Sequence, residues 1–167
     1  KIYPEKGLVS KRLYNIKVNE EMEVTGPYGH FYLDENTHKN IVLISGGVGI
    51  TPFMCMLRYI HEKKLKDIKL TAIYSSKTPE DIIFSKELIS NNYPENIKVY
   101  LTITRPDGHK WSGMTGRINE QKIKDIVKNI HEPYYYVCGP TLMVEETAKL
   151  LKNIGVEDSK IKLERFG

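Results

Sequence analysis

From Ile41 onward the chain alternates between short, nearly continuous apolar runs and longer segments with apolar residues at helical spacing. The runs Ile41–Ser45, Lys69–Ser75, Ile97–Ile103, Tyr134–Cys138 and Ile161–Leu163 have strand length and are rich in β-branched and aromatic residues. Such runs suit parallel strands buried on both faces. Between them, Pro52–Lys64, Pro79–Ser90, Asn119–Ile130 and Thr141–Ile154 predict helices; in the last, Leu142, Met143, Ala148, Leu150 and Leu151 supply the apolar spacing. Strict alternation implies right-handed crossovers and an α/β fold with a five-stranded doubly wound parallel sheet.

The first 40 residues follow another pattern. Met22–Val24 and Phe31–Leu33 are short strand candidates separated by Gly26, Pro27 and Gly29, the punctuation of antiparallel β structure. Two strands cannot bury a core alone. Residues 1–37 are therefore expected to be the last part of a β-domain and residues 38–167 a complete α/β domain, with the boundary in the polar stretch Glu35–Asn40.

Composition narrows the function. With 25 Lys and Arg against 21 Asp and Glu in 167 residues, the net charge of +4 is mild and the charges are mixed, which argues against nucleic-acid binding. No apolar stretch reaches the roughly 20 residues needed to span a bilayer. Lys1 in place of Met suggests an upstream portion that is missing or processed. Cys55 and Cys138 lie on different predicted elements, so no metal site is expected, and two unpaired thiols fit a cytoplasmic protein. An iron–sulfur cluster on this chain is not expected, because such clusters want four thiolates.

Two motifs carry chemistry. Ser45-Gly46-Gly47-Val48-Gly49-Ile50-Thr51-Pro52 follows the first buried strand and opens a helix. Glycine there lets the backbone approach a pyrophosphate, and the helix presents free N–H groups and its positive dipole end. Proline replaces the third glycine of the usual dinucleotide fingerprint; Pro52 suits a first helical turn, where its missing N–H costs nothing, and Thr51 is expected to cap that turn. Without a ligand the same run would be only a tight turn. Tyr136-Val137-Cys138-Gly139-Pro140 closes the fourth strand, on the carboxyl edge where open α/β sheets bind ligands. By itself a cysteine on a buried strand is most often a small core residue; its place on this edge is what points to a ligand.

With these loops and their spacing, the chain resembles the ferredoxin–NADP reductase superfamily of flavin-dependent NAD(P)H reductases, including oxygenase reductase components and flavohaemoglobin reductases. The resemblance runs along essentially the whole sequence. It implies that Gly46, Gly47, Gly49, Thr51 and Pro52 form the first nucleotide loop, and that Cys138, Gly139 and Pro140, with Met143, form the second, the cysteine lying against the nicotinamide. Leu163-Glu164-Arg165-Phe166 is similar to the family's terminal acidic–x–aromatic element, implying that Glu164 approaches the reacting rings and Phe166 the flavin. Gly7, Val9 and Ser10 resemble the segment that binds the flavin pyrophosphate, and Gly26-Pro27-Tyr28-Gly29 the end of the flavin barrel. The family's upstream Arg-x-Tyr-Ser/Thr stretch does not occur in this sequence. The implied catalytic set is Cys138, Glu164 and Thr51; the implied cofactor is FAD (or FMN), the co-substrate NAD(P)H, and the acceptor a protein such as ferredoxin, an oxygenase or a haem domain.

Donor choice is open. The second strand ends Tyr74-Ser75-Ser76-Lys77, with hydroxyls and a cation where many dinucleotide folds place an acid, and Thr104-Arg105 follows the third. Ser76, Lys77 and Arg105 are therefore candidates for the ribose end, and either nucleotide is expected to serve; Lys77 and Arg105 could equally be solvated charges. His30, His38, His61, His109 and His131 show no ligand spacing and are expected at the surface, Trp111 with Gly113 and Gly116 in an ordered packing loop, and His61–Lys66 at a solvated helix end. Two other classes compete: a nucleotide-binding regulatory subunit that has lost its flavin, and another doubly wound enzyme such as a methyltransferase or dehydrogenase, against which the loop proline argues.

Overall fold

A computed structural model of the chain describes residues 7–90 and 92–166. Contacts divide them into two units, meeting between His30 and Phe31. Residues 1–6 of the expected β-domain remnant lie outside the described residues.

The first unit carries one helix, α1 (Leu8–Asn15), held locally by an Arg12–Glu20 ion pair at 3.0 Å and by the Asn15 amide donating to the Lys11 carbonyl. Neither Met22–Val24 nor Phe31–Leu33 forms a strand. An extended segment becomes a strand only beside another that takes its N–H and C=O groups, and among the described residues these two segments have no such neighbour. Phe31 and Leu33 pack instead against the core of the second unit.

In the second unit, β1 (Asn40–Gly46), β2 (Lys69–Ser76), β3 (Ile97–Ile103), β4 (Met114–Thr115), β5 (Tyr134–Gly139) and β6 (Ile161–Arg165) form one sheet in the order β4-β3-β2-β1-β5-β6, every pair parallel. The sheet thus has six strands where five were expected. The extra one, β4, contributes two residues between Gly113 and Gly116, too few to leave an apolar run in the sequence. The helices are α2 (Ile50–Glu62), α3 (Ser85–Ser90), α4 (Glu120–Ile126) and α5 (Thr141–Asn153). Of the segment Pro79–Ser90 only the last part is helical, because Thr78–Phe84 is folded into turns tied by Asp81 and Ile82 N–H groups to the Thr78 and Pro79 carbonyls.

Alternation of side chains along β1 separates two cores. Ile41 and Leu43 face one side with Phe53, Leu57 and Ile60 of α2; Val42 and Ile44 face the other with Ile123 of α4 and Val144 and Leu151 of α5. Full burial of each such aliphatic side chain stabilises the fold by roughly 1.5–3 kcal/mol. Leu142, expected to join this face of α5, is 65% exposed; Val144, Thr147, Ala148 and Leu151 are the residues that point inward. Because β1 leads to β2 on one side while β5 leads to β6 on the other, right-handed crossovers place α2 and α5 on opposite faces. The loops after β1 and β5 therefore lie at the switch point of the strand order, where open α/β sheets take ligands.

His38 departs from the expected surface position. It is 7% exposed at the amino edge of the sheet, with Nδ1 2.6 Å from the Tyr136 hydroxyl and its ring stacked on Tyr134 at 3.6 Å between centroids. Burial lowers its pKa below the ordinary 6.5, partly opposed by the Asp34 carboxylate, while Lys162 adds to the lowering. The polar run around it concealed this partner, which comes from a strand 98 residues further on.

Candidate functional site

Register sets the site. Tyr74, Ser45, Cys138 and Glu164 are successive partners across β2, β1, β5 and β6, so they stand in one row on the α2 face near the carboxyl ends of the strands. The next row is Ser75, Gly46, Gly139 and Arg165. The turn Gly47–Gly49, a single 3-10 turn, leads from β1 into α2, and Pro140 leads from β5 into α5. Both loops thus lie on the same rim.

They also touch. A Cβ built on Gly49 would run into the Cys138 carbonyl and lie 2.6 Å from the Gly139 Cα; one on Gly139 would meet the Gly46 carbonyl oxygen at 3.0 Å and the Met143 sulfur at 3.3 Å. Only hydrogen fits at these places. Met143 further covers Gly46, 3.4 Å from where its Cβ would be, so α5 buttresses the first loop. Met143, which the resemblance put with the second loop, thus reaches the first, and Ser45 is the residue whose place in the site the sequence did not single out. The Ser45 hydroxyl is 1% exposed and has no hydrogen-bond partner among the described residues.

Gly49, not Thr51, is the N-cap of α2, and its cap carries no side-chain hydrogen bond. Thr51 Oγ1 instead donates to the Val48 carbonyl at 2.9 Å, pinning the turn and leaving the hydroxyl lone pairs to accept. Pro52 falls in the first turn as expected. No side chain caps this helix start, and although the Ile50 N–H is taken by the Gly47 and Val48 carbonyls, the positive dipole end is left for an anion.

Cys138 is fully buried among apolar side chains, and its thiol pKa is pushed up to about 12 by that burial and by the neighbouring Glu164 carboxylate. It is a neutral thiol at any working pH. Glu164 is half-buried. Phe166, also half-buried, packs on the same core, and its N–H donates to the Gly139 carbonyl at 2.9 Å, extending the β5–β6 ladder to the second loop.

At the far end of the rim, the ladder between β2 and β3 continues past the strands: Thr104 N–H donates to the Ser76 carbonyl (2.9 Å) and Arg105 N–H to the Lys77 carbonyl (2.8 Å). Lys77 and Arg105 are brought together, both exposed, and neither side chain has an ion-pair partner among the described residues. Trp111 packs on the core, and its indole N–H donates to the Met114 carbonyl at 2.9 Å, the packing role expected of it. Gly7, Val9 and Ser10 belong to the first unit, at the start of α1; Gly7 (φ 78°) is the N-cap and makes no side-chain cap bond. No group of three or more metal-ligating side chains exists among the described residues.

Comparison with known proteins agrees with this geometry. Residues 43–149 match the family described as "Oxidoreductase NAD-binding domain". The chain belongs to that family. As a whole, this NAD-binding oxidoreductase domain has the fold of the ferredoxin reductase-like superfamily that its two loops suggest. It is 33% identical over 144 residues to NADH-cytochrome b5 reductase 2 of Aspergillus oryzae, covering 84% of this chain and 44% of that protein. It is 32% identical over 166 residues to the glycine betaine monooxygenase reductase subunit of Chromohalobacter salexigens, covering 96% of this chain and 45% of that one. Among solved structures, the cytochrome b5 reductase domain of Ulva prolifera nitrate reductase superposes with a TM-score of 0.81 at 26% identity, over 97% of this chain and 67% of that one. The NAD-binding domain spans less than half the length of the two curated relatives named. No helix among its described residues is long and apolar enough to cross a membrane.

Proposed function

We propose that this chain is the pyridine-nucleotide half of a flavin-dependent NAD(P)H oxidoreductase, which moves a hydride from NADH or NADPH to FAD (or FMN) and then electrons to a protein acceptor. The observation that carries the reading is the abutment of two glycine loops on one rim, where Gly49 lies against Cys138 and Gly139 without room for a Cβ. That cradle fits a pyrophosphate: backbone can approach it closely, and an uncapped helix start faces it. The acceptor would be a ferredoxin, an oxygenase component, or a haem or iron–sulfur protein, and the two free thiols suit a cytoplasmic setting.

In this reading Gly46, Gly47 and Gly49 hold the pyrophosphate and Pro52 fixes the helix start. Gly139 and Pro140 shape the floor of the nicotinamide pocket. Thr51, its proton committed to Val48, accepts from the carboxamide N–H2. Cys138 lies buried behind the pocket as an uncharged thiol, so it neither attacks the ring nor favours its oxidised, positively charged form. Glu164, in register beside it, can hold or relay a proton, and Phe166 offers the flavin an aromatic neighbour. Lys77 and Arg105 receive the adenosine ribose, with or without its 2′-phosphate, while the Ser76 hydroxyl is buried. The start of α1, with Gly7, Val9 and Ser10, suits the flavin pyrophosphate, and the open apolar surface of the first unit (Leu8 89%, Val9 73% and Val24 78% exposed) supports residues 1–37 being the C-terminal fragment of a flavin-binding barrel. When bound, a flavin accepts a hydride from a nicotinamide and releases electrons singly. The protein's share is orientation, which converts an encounter into a positioned contact.

Equilibrium dialysis of the chain against NAD+ and NADP+ tests the donor site directly. Retention is expected, and its loss in Gly139→Val. In the polypeptide that joins both halves, the yellow colour should bleach anaerobically with NADH or NADPH, and Cys138→Ala should slow bleaching more than it weakens dinucleotide binding. A chain that retains neither nucleotide refutes the assignment.

A further inference from the structure

The loops after β2 and β3 are joined twice. At their base run the two backbone hydrogen bonds that bring Lys77 beside Arg105; at their tips Glu80 Oε2 meets His109 Nδ1 at 3.0 Å. His109 is brought there by a tight turn in which its N–H donates to the Pro106 carbonyl and Gly108 takes φ 78°. Glu80 is fixed on its side by turns at Thr78 and Pro79, the Thr78 hydroxyl donating to Asp81. The sequence gives His109 no ligand spacing, and the donor site as described makes no use of it. Yet its imidazole is only 29% exposed, between the exposed Asp107, Gly108 and Lys110.

We infer that the Glu80–His109 pair is a positioning pair for the ribose end of the donor site: it fixes the turn Pro106–His109, and through it the Arg105 side chain opposite Lys77, so that the chain discriminates a 2′-phosphorylated adenosine from an unphosphorylated one. The inference rests on the donor site proposed above and adds the residues that set its selectivity. Two exposed cations on backbone segments joined by a hydrogen bond, neither in an ion pair among the described residues, offer a phosphate dianion two charges that a ribose hydroxyl does not need. The pair touches no nucleotide itself. Its effect is geometric, and it opposes the simple charge count, since the Glu80 carboxylate would otherwise repel the phosphate.

That opposition makes the test sharp. Adenosine 2′,5′-bisphosphate and 5′-AMP are titrated calorimetrically into the full chain and into Glu80→Ala, His109→Ala, the double variant and His109→Gln, whose amide can still donate to Glu80. An exposed pair supports only a modest effect, so each single alanine variant should weaken the bisphosphate about threefold and 5′-AMP less than about 1.5-fold. The double variant should be no weaker than either single one, and His109→Gln should bind as the parent does. Tighter bisphosphate binding in Glu80→Ala overturns the inference, as does an equal loss for both ligands. If Arg105→Gln weakens the bisphosphate while His109→Ala does not, the donor site stands and the positioning role falls. If the parent chain binds neither ligand, the donor site itself is wrong.

Discussion

Replacing Gly49 by alanine adds one methyl group at a point where the two nucleotide loops meet. At φ −61° the backbone tolerates any residue there, so the cost is purely one of space. The new Cβ would collide with the Cys138 carbonyl and lie 2.6 Å from the Gly139 Cα. These are backbone atoms of a central strand and cannot rotate away as a side-chain tip would. Overpacking typically costs 1–3 kcal/mol, and a rigid neighbour puts this site at the upper end, about 3 kcal/mol. For a domain of this size, about 3 kcal/mol lowers the melting temperature by roughly 6–12 °C. Gly47→Ala is the control: nothing lies within 4 Å of its Cβ, but φ is +52°, so its cost is left-handed strain of about 1 kcal/mol. Thermal unfolding followed by circular dichroism should rank the parent above Gly47→Ala and Gly47→Ala above Gly49→Ala, and Gly49→Ala should lose dinucleotide binding before it loses fold. If Gly49→Ala melts with the parent, or above Gly47→Ala, the two loops do not abut and the cradle argument fails.

Other measurements probe separate parts of the structure. A thiol reagent at neutral pH should modify one cysteine per native chain, the exposed Cys55, and reach the buried Cys138 only after unfolding; two fast thiols in the native protein would contradict the burial. The His38 pKa is depressed in the fold, so the unfolded chain binds the extra proton first: stability is full above about 6.5 and falls as the pH drops through 6.5 toward the folded value. Denaturant midpoints at pH 7 and pH 5 should therefore differ more for the parent than for His38→Gln, and equal differences would remove His38 as the cause. The Lys122 ammonium donates to the carbonyls of Thr115, Gly116 and Arg117 beside β4, and burial lowers its pKa. Lys122→Met leaves those acceptors unmet and should destabilise by about 2 kcal/mol, with faster amide exchange at Gly116, whose N–H donates to Ile103; unchanged exchange would mean that the cage does not hold the edge strand.

Periodicity made the parallel sheet legible because buried parallel strands are apolar on both faces, as Ile41–Ile44 are; toward the sheet's margin Ile97, Val99, Leu101 and Ile103 alternate with Lys98, Tyr100 and Thr102. The close approach of the two glycine loops was legible because glycine and proline mark the places where backbone must approach backbone. What stayed hidden had long-range causes. The burial of His38 depends on Tyr134 and Tyr136, β4 on a register that only β3 supplies, and the tie between Glu80 and His109 on two loops meeting at their tips. Thr51 shows the reverse error: a hydroxyl next to a helix start suggested a cap, but the 3-10 turn before it moved the cap to Gly49 and gave the hydroxyl to Val48.

The strand order has a mechanical corollary. β1 is flanked on both sides by long partners, so its amides should be among the slowest to exchange with solvent, whereas β4 is two residues at the margin. Stiffness therefore declines from the middle of the molecule outward along the rim. In the proposed donor site the glycine loop after β1 would sit where the protein yields least and the Lys77–Arg105 end nearer the margin, so mutations in the outer loops would be expected to alter nucleotide preference with little disturbance of the central loops.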